Sequence, residues 1–180
     1  GTQTVNIIVP EGTTATYTTD GSEPNENSSK VAGAIQVSKN TVLRVRAFST
    51  GLFGSDIATA SYFIPTGAET IEDHKTNLAI MSVVTAPKNL WDPDTGIYVV
   101  GSKVAGQAPD EDETAYSLAA GMNANYATSA NFWQSWERPM HFDLIGEDGQ
   151  SEYSADGIVR IFGAFSRNKE QKGLSLVARP

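Results

Sequence analysis

The sequence predicts a mainly β protein, a sandwich of short strands followed by a mostly antiparallel β module that carries a long loop or short helix. Three observations predict it. Residues 4–64 break into short runs rich in Val, Ile, Thr and Tyr, separated by Gly, Pro, Asn and Ser at sandwich-like spacing. Residues 78–84, LAIMSVV, form a nearly continuous apolar run of strand length. Residues 133–179 hold three more strand-like runs whose ends carry Gly, Asp and Asn, the residues that accept positive φ or cap a turn with their own side chain.

In chain order, strands are expected at 4–9, 14–19, 34–37, 41–48 and 57–64. Within 41–48, Leu43, Val45 and Ala47 alternate with Val42, Arg44 and Arg46, so the odd positions should face a core and the arginines water. Asp20-Gly21 is a turn signal, and Asp20 is expected to accept backbone N–H groups of its own loop rather than to serve as a metal ligand or catalytic acid. Pro65, Thr66 and Gly67 interrupt the pattern, and the polar stretch 69–77 suits a helical turn. A domain boundary is therefore expected between residues 66 and 67.

The apolar run 78–84 reads as a central strand buried on both faces. Pro87, Asn89, Pro93, Asp94 and Gly96 make the next segment a loop. Its 92–96 stretch has a superficial likeness to a calcium loop, but an EF-hand needs an oxygen ligand at its fifth position and Glu at its twelfth, where this chain has Gly96 and Lys103. A turn is expected there, with the neighbouring Trp91 plugging the core rather than offering a sugar platform. Residues 101–131 are rich in Gly, Ala, Asn and Ser, and the acidic run 110–113 suits the start of a short helix that ends at Gly121. Tyr116, Tyr126, Phe132, Trp133 and Trp136 cluster in sequence around this region, which leaves a ligand-facing aromatic patch open.

The last three strands are expected at 140–145, 157–162 and 174–179, the second entered from the polar run 151–156. Between the second and third, Gly163, Ser166, Arg167, Lys169 and Lys172 bring three cations and two small residues into one joint.

Composition narrows the function. The chain has 180 residues and a formal net charge of -8, a field that repels nucleic acid and anionic membranes. No apolar run approaches the roughly 20 residues of a membrane helix. With no Cys there is no disulfide, zinc–thiolate site or thiol nucleophile. The two His, His74 and His141, have no Ser or Asp at a recognisable spacing, so neither a triad nor a zinc site is expected. Glu137 and Arg138 are adjacent and should point to opposite faces of a strand rather than pair. No Walker-type phosphate loop is present, and residues 163–167 are too short for a glycine-rich nucleotide loop. Gly1 opens directly in strand-like sequence with no signal peptide, so a piece of a longer chain is expected.

Two resemblances sharpen this reading. The stretches ATYTTDGSEPNENSS and VLRVRAFSTGLFGSDIATASYF resemble the Ig-like or fibronectin-like domain found C-terminal in chitobiases and hexosaminidases, and the match spans most of residues 4–64. Residues 78–99 (LAIMSVVTAPKNLWDPDTGIYV), 136–149 (WERPMHFDLIGEDG) and 157–179 (GIVRIFGAFSRNKEQKGLSLVAR) resemble the N-terminal part of the CotH family, secreted proteins related to spore-coat protein kinases. The segments fall in the family's order, with departures near Phe162 and at Gly173. Together they imply two modules, an Ig-like sandwich at 1–66 and a CotH-like N-terminal module at 67–180. They also imply a secreted or cell-surface location in a bacterial multidomain protein.

The kinase likeness has one physical handle. If the last strand reaches back to Lys172, its ammonium shares a face with Leu174 and Leu176 and needs an anionic partner, a nucleotide phosphate or a Glu. A bulge at Gly173 would reverse that parity, and the lysine stem can also carry the charge out to water. A phosphoryl transferase further needs a catalytic Asp and Mg²⁺ ligands, which the resemblance places beyond Pro180. Residues 1–180 are therefore expected to be non-catalytic, with no metal site and no cofactor of their own, Mg-ATP belonging to the longer parent. Arg167 and Lys172 are the candidate nucleotide contacts. In the alternative of a glycan-binding accessory module, Trp133, Trp136 and Tyr126 are the candidate sugar contacts. Expected partners are glycans or other cell-surface components and the remainder of the parent chain.

Overall fold

The computed structural model describes residues 1–64, 79–104, 130–146 and 151–178. The chain divides into two compact units, Gly1–Val84 with His141–Ser154, and Thr85–Met140 with Ala155–Pro180. The expected boundary between residues 66 and 67, the helical turn at 69–77 and the acidic helix start at 110–113 all lie outside the described residues.

The first unit contains β1 (Gln3–Val5), β2 (Thr14–Thr18), β3 (Ser29–Lys30), β4 (Ile35–Val37), β5 (Thr41–Phe48) and β6 (Ala58–Tyr62). β1 and β4 make a two-stranded antiparallel sheet, and a four-stranded antiparallel sheet has the order β3-β2-β5-β6. Ala15, Leu43 and Val45 of the larger sheet are buried, and Val5 and Ile35 of the smaller one pack on them, which is the two-layer arrangement of a sandwich. Of the odd positions of β5, Leu43 and Val45 are buried in this core as the alternation requires, whereas Ala47 is only partly buried. Arg44 and Arg46 are not simply in water. They are half-buried and donate to the carbonyls of Gly21 and Ser55, at 2.9 and 2.7 Å, because the loops fold back over that face of the strand.

Two expectations for this unit need correction. Residues 6–9 are not strand, since β1 stops at Val5 opposite Ile35, the first residue of its antiparallel partner β4, and Ile8 is left 96% exposed. Ser29–Lys30 is strand although nothing in its composition signals one, because pairing with Thr16 and Tyr17 imposes it. Asp20 behaves as a turn residue: Oδ1 accepts from the backbone N–H of Ser22 at 3.0 Å and from its hydroxyl at 2.5 Å. The Ser22 hydroxyl first, then the Ser22 N–H, hold the Asp20 carboxyl below its ordinary value.

A further four-stranded sheet has the order β10-β9-β8-β7, built from β7 (Ile80–Val84), β8 (Arg138–Ile145), β9 (Ser151–Phe162) and β10 (Gly173–Ala178). β7 runs antiparallel to β8, and β10 antiparallel to β9. The apolar run expected as a central strand is thus an end strand of its sheet. Val84 and Ser82 are buried on one face while Met81 on the other is 60% exposed, so hydrophobicity alone overstated its burial. The polar run 151–156 is itself part of β9, with its side chains mostly exposed.

Candidate functional site

The second unit presents its aromatic and cationic side chains on a small, tightly bonded scaffold. Pro at the first turn opens the short helix α1 (Pro87–Trp91), whose missing N–H costs nothing there. The chain then turns at Asp92, whose Oδ1 accepts from the N–H of Asp94 at 2.9 Å, the N–H of Thr95 at 2.8 Å and the Thr95 hydroxyl at 2.9 Å. The Thr95 hydroxyl first, then both N–H groups, keep the Asp92 carboxyl below its ordinary value. Asp92 thus serves as a turn device, bonding the N–H groups two and three residues on. After it, Ile97 N–H donates to Asn89 O at 2.8 Å and Tyr98 N–H to Leu90 O at 3.0 Å, stitching the returning segment to the helix. Only glycine fits at position 96, where a Cβ would lie 2.6 Å from the backbone of Asp92 and of Leu90.

Asn131 closes this loop from the far side. It is 2% exposed, and its Nδ2 donates to Gly96 O at 3.0 Å and Pro93 O at 3.2 Å. Its backbone N–H bonds Val100 O at 2.8 Å. Gly101, at φ +94°, leaves room for the Asn131 carboxamide, which a Cβ there would approach to 2.2 Å.

The candidate residues now fall into place. Trp133 is half-buried, donates Nε1–H to Asn168 Oδ1 at 3.1 Å, and lies beneath the Arg167 guanidinium, 5.6 Å from its ring centroid. Arg167, in a 3-10 turn at Phe165–Asn168, donates Nε–H to Gly163 O at 2.6 Å and Nη1–H to Phe132 O and Trp133 O, each at 3.3 Å. Its charge is thus spent on backbone carbonyls. Lys172 precedes β10 rather than joining it. Its ammonium sits 4.4 Å from the Phe132 ring centroid and 5.4 Å from that of Tyr98, and donates to Lys169 O at 2.7 Å. Its partners are two rings and a carbonyl, where the reasoning from parity asked for an anion or for escape along the stem.

Burial pushes the Lys172 ammonium below its ordinary value of 10.5. The folded chain therefore holds that proton less tightly than the unfolded one. The resulting penalty is present at neutral pH, declines as pH rises through the folded value, and vanishes above the unfolded one. Lys172→Met removes both this penalty and the ring attraction, so thermal unfolding at pH 7 is expected to change by no more than about 1 kcal/mol. The variant should also lose the part of the stability gain on alkalinisation that Lys172 contributes, as denaturant melts at two pH values will show.

Trp136 is half-buried under the Arg138 guanidinium, 5.1 Å from its centroid. Arg138 donates to Thr95 O through Nε, at 3.1 Å, and through Nη2, and to Glu137 O at 3.0 Å. Glu137 turns instead toward Arg160, 3.9 Å away, so the adjacent acid and base do not pair with each other. Trp91 contradicts its expected role as a core plug. It is 56% exposed, and Tyr98 meets it edge-on with centroids 5.1 Å apart, because the turn after α1 leaves the indole outside the packed face. Tyr126, Tyr116 and His74 lie outside the described residues.

One grouping in the first unit escaped sequence reasoning. His141 Nε2 lies 3.1 Å from Ser154 Oγ and 3.3 Å from Asp143 Oδ1. Period-two spacing on β8 could have placed His141 and Asp143 on one face, but Ser154 joins them only through β9. Both partners meet the same ring nitrogen, which is not the relay of a Ser-His-Asp triad. Among the described residues no group of three or more acidic or His side chains is arranged to hold a metal ion, and no helix is long and apolar enough to cross a membrane.

With this geometry in hand, comparison with known proteins gives one match. Residues 1–59 match the chitobiase/beta-hexosaminidase C-terminal domain. The match takes in β1 to β5 and the start of β6, the strands that form the sandwich. No curated protein matches the chain, and no solved structure does.

Proposed function

We propose that this chain is a non-catalytic portion of a secreted or cell-surface bacterial multidomain protein, with a structural or binding role directed at carbohydrate. The observation that carries the reading is the match of residues 1–59 to a domain type that accompanies carbohydrate-active enzymes. The aromatic side chains of the second unit support it, since half-exposed indoles offer an apolar face and a polar edge together. On this reading the chain comprises a sandwich module at 1–66 and a second module at 67–180, and Trp133, Trp136 and Tyr126 are the first candidates for sugar contact. Its partners are glycans and the rest of its own parent chain.

Trp136 is the cleaner probe of the two described indoles. Trp133 is tied to Asn168 and Arg167, so Trp133→Ala should lower the melting temperature and confuse binding with folding. Retention of the chain on immobilised N-acetylhexosamine polymer, weakened in Trp136→Ala at an unchanged melting temperature, is the expected result. Failure of the wild-type chain to bind any polysaccharide would sink the reading.

A second reading follows from the CotH-like segments at 78–99, 136–149 and 157–179, in which the second module is the N-lobe-like part of an atypical secreted kinase whose catalytic Asp and Mg²⁺ ligands belong to later residues. Arg167 and Lys172 would then face Mg-ATP in the parent. Their bonds to carbonyls and rings would have to be exchanged for phosphate, which weighs against tight nucleotide binding by these 180 residues alone. Calorimetric titration with Mg-ATP and a phosphate-transfer assay separate the two readings, and phosphate turnover lost in Lys172→Ala would overturn the non-catalytic one.

A further inference from the structure

The structure assigns a platform role to Trp91: we infer that its indole stacks against the apolar face of a neutral, β-linked hexopyranose chain. This deepens the carbohydrate-directed reading above and rests on it. Trp91 ends α1 with more than half its surface in solvent, 56%, while its backbone is fixed on both sides. Ahead of it, Asp92 N–H bonds Lys88 O at 3.2 Å; behind it, Gly96 N–H bonds Asp92 O at 2.7 Å and Tyr98 N–H bonds Leu90 O at 3.0 Å. Tyr98 holds the indole edge-on at an interplanar angle of 61°, and the Tyr98 hydroxyl is itself fixed by the Lys172 N–H at 2.9 Å. A ring held this firmly loses little freedom when a ligand settles on it.

The surroundings choose the ligand class. The turn that follows Trp91 exposes Asp94 and Thr95, so polar residues lie three and four positions along the chain from the exposed indole. A single aromatic face next to hydrogen-bonding groups matches a sugar ring, which is apolar on its C–H face and polar around its rim. β-Linked hexopyranoses present the flattest such face. The net charge of -8 disfavours sulfated or uronic-acid polymers and leaves neutral ones.

The test is affinity electrophoresis of the full chain in gels containing hydroxyethyl cellulose, glycol chitin or, as the anionic comparison, heparin. Retardation by a neutral β-linked polymer is expected, with affinity falling by about tenfold or more in Trp91→Ala and only partly in Trp91→Phe. Phe53→Ala, which removes a wholly exposed ring of the first unit, should migrate like the wild type, and thermal melts should show Trp91→Ala folded. Retardation of Trp91→Ala equal to that of the wild type would overturn the inference while leaving the carbohydrate reading standing. Retardation by heparin alone would overturn the choice of a neutral ligand. Absence of wild-type retardation by any polymer would overturn both.

Discussion

Asn131→Ala is expected to destabilise the protein by about 3 kcal/mol, because it strands the Gly96 carbonyl, leaves that of Pro93 with the Ser102 N–H alone and empties a buried site. Asn131 Nδ2 is a donor to both Gly96 O and Pro93 O, in a site where the asparagine is 2% exposed. Water cannot reach the Gly96 carbonyl without entering the packed loop, so its desolvation cost is felt in full. The loss should appear as a drop in melting temperature on the order of 10 °C. Asn131→Asp should fare no better, since it sets a carboxylate oxygen against two carbonyl oxygens. A melting temperature within a degree or two of the wild type for either variant would show that the 92–101 loop does not depend on this residue. The same experiment bears on Trp91, which that loop holds in place.

Arg167→Ala is expected to cost about 2 to 4 kcal/mol, and Arg167→Lys to recover little of it. The guanidinium joins Gly163 O to Phe132 O and Trp133 O while covering the Trp133 ring, a fork that an ammonium cannot reproduce. Gly163 reinforces the need for this geometry: it sits at φ +114°, and a Cβ there would lie 2.1 Å from Ser166 Oγ. Chemical denaturation will report the loss, and tryptophan emission should shift as Trp133 gains water. If Arg167→Ala melts like the wild type, the carbonyl contacts are dispensable and the guanidinium becomes available for an anionic ligand. The two outcomes therefore separate a structural arginine from a nucleotide-binding one.

Much of the fold was legible because its signals are local. Leu43 and Val45 declared the inner face of β5 by alternation, and Asp20 and Asp92 declared their turns because each carboxylate bonds N–H groups two or three residues away. Misreadings arose where strand pairing or burial depends on distant residues. Ser29–Lys30 is a strand only through Thr16 and Tyr17, and the apolar run at β7 ends its sheet although its composition suits the middle of one. The candidate site was legible as a list and not as an arrangement. Arg167 and Trp133 are 34 residues apart, and Lys172 meets Tyr98 across 74.

By itself the sequence determined a mainly β chain, its principal strand positions, its turn chemistry and its net negative charge. Those properties follow from period-two alternation, from φ restrictions and from charge, all of which act residue by residue. Only the tertiary structure decided that Arg167 and Lys172 satisfy carbonyls and rings, that His141 meets Ser154 and Asp143 at one nitrogen, and that Trp91 stands in solvent. A side chain's partner and its exposure depend on which distant segment packs against it, and that choice is made by the whole chain at once.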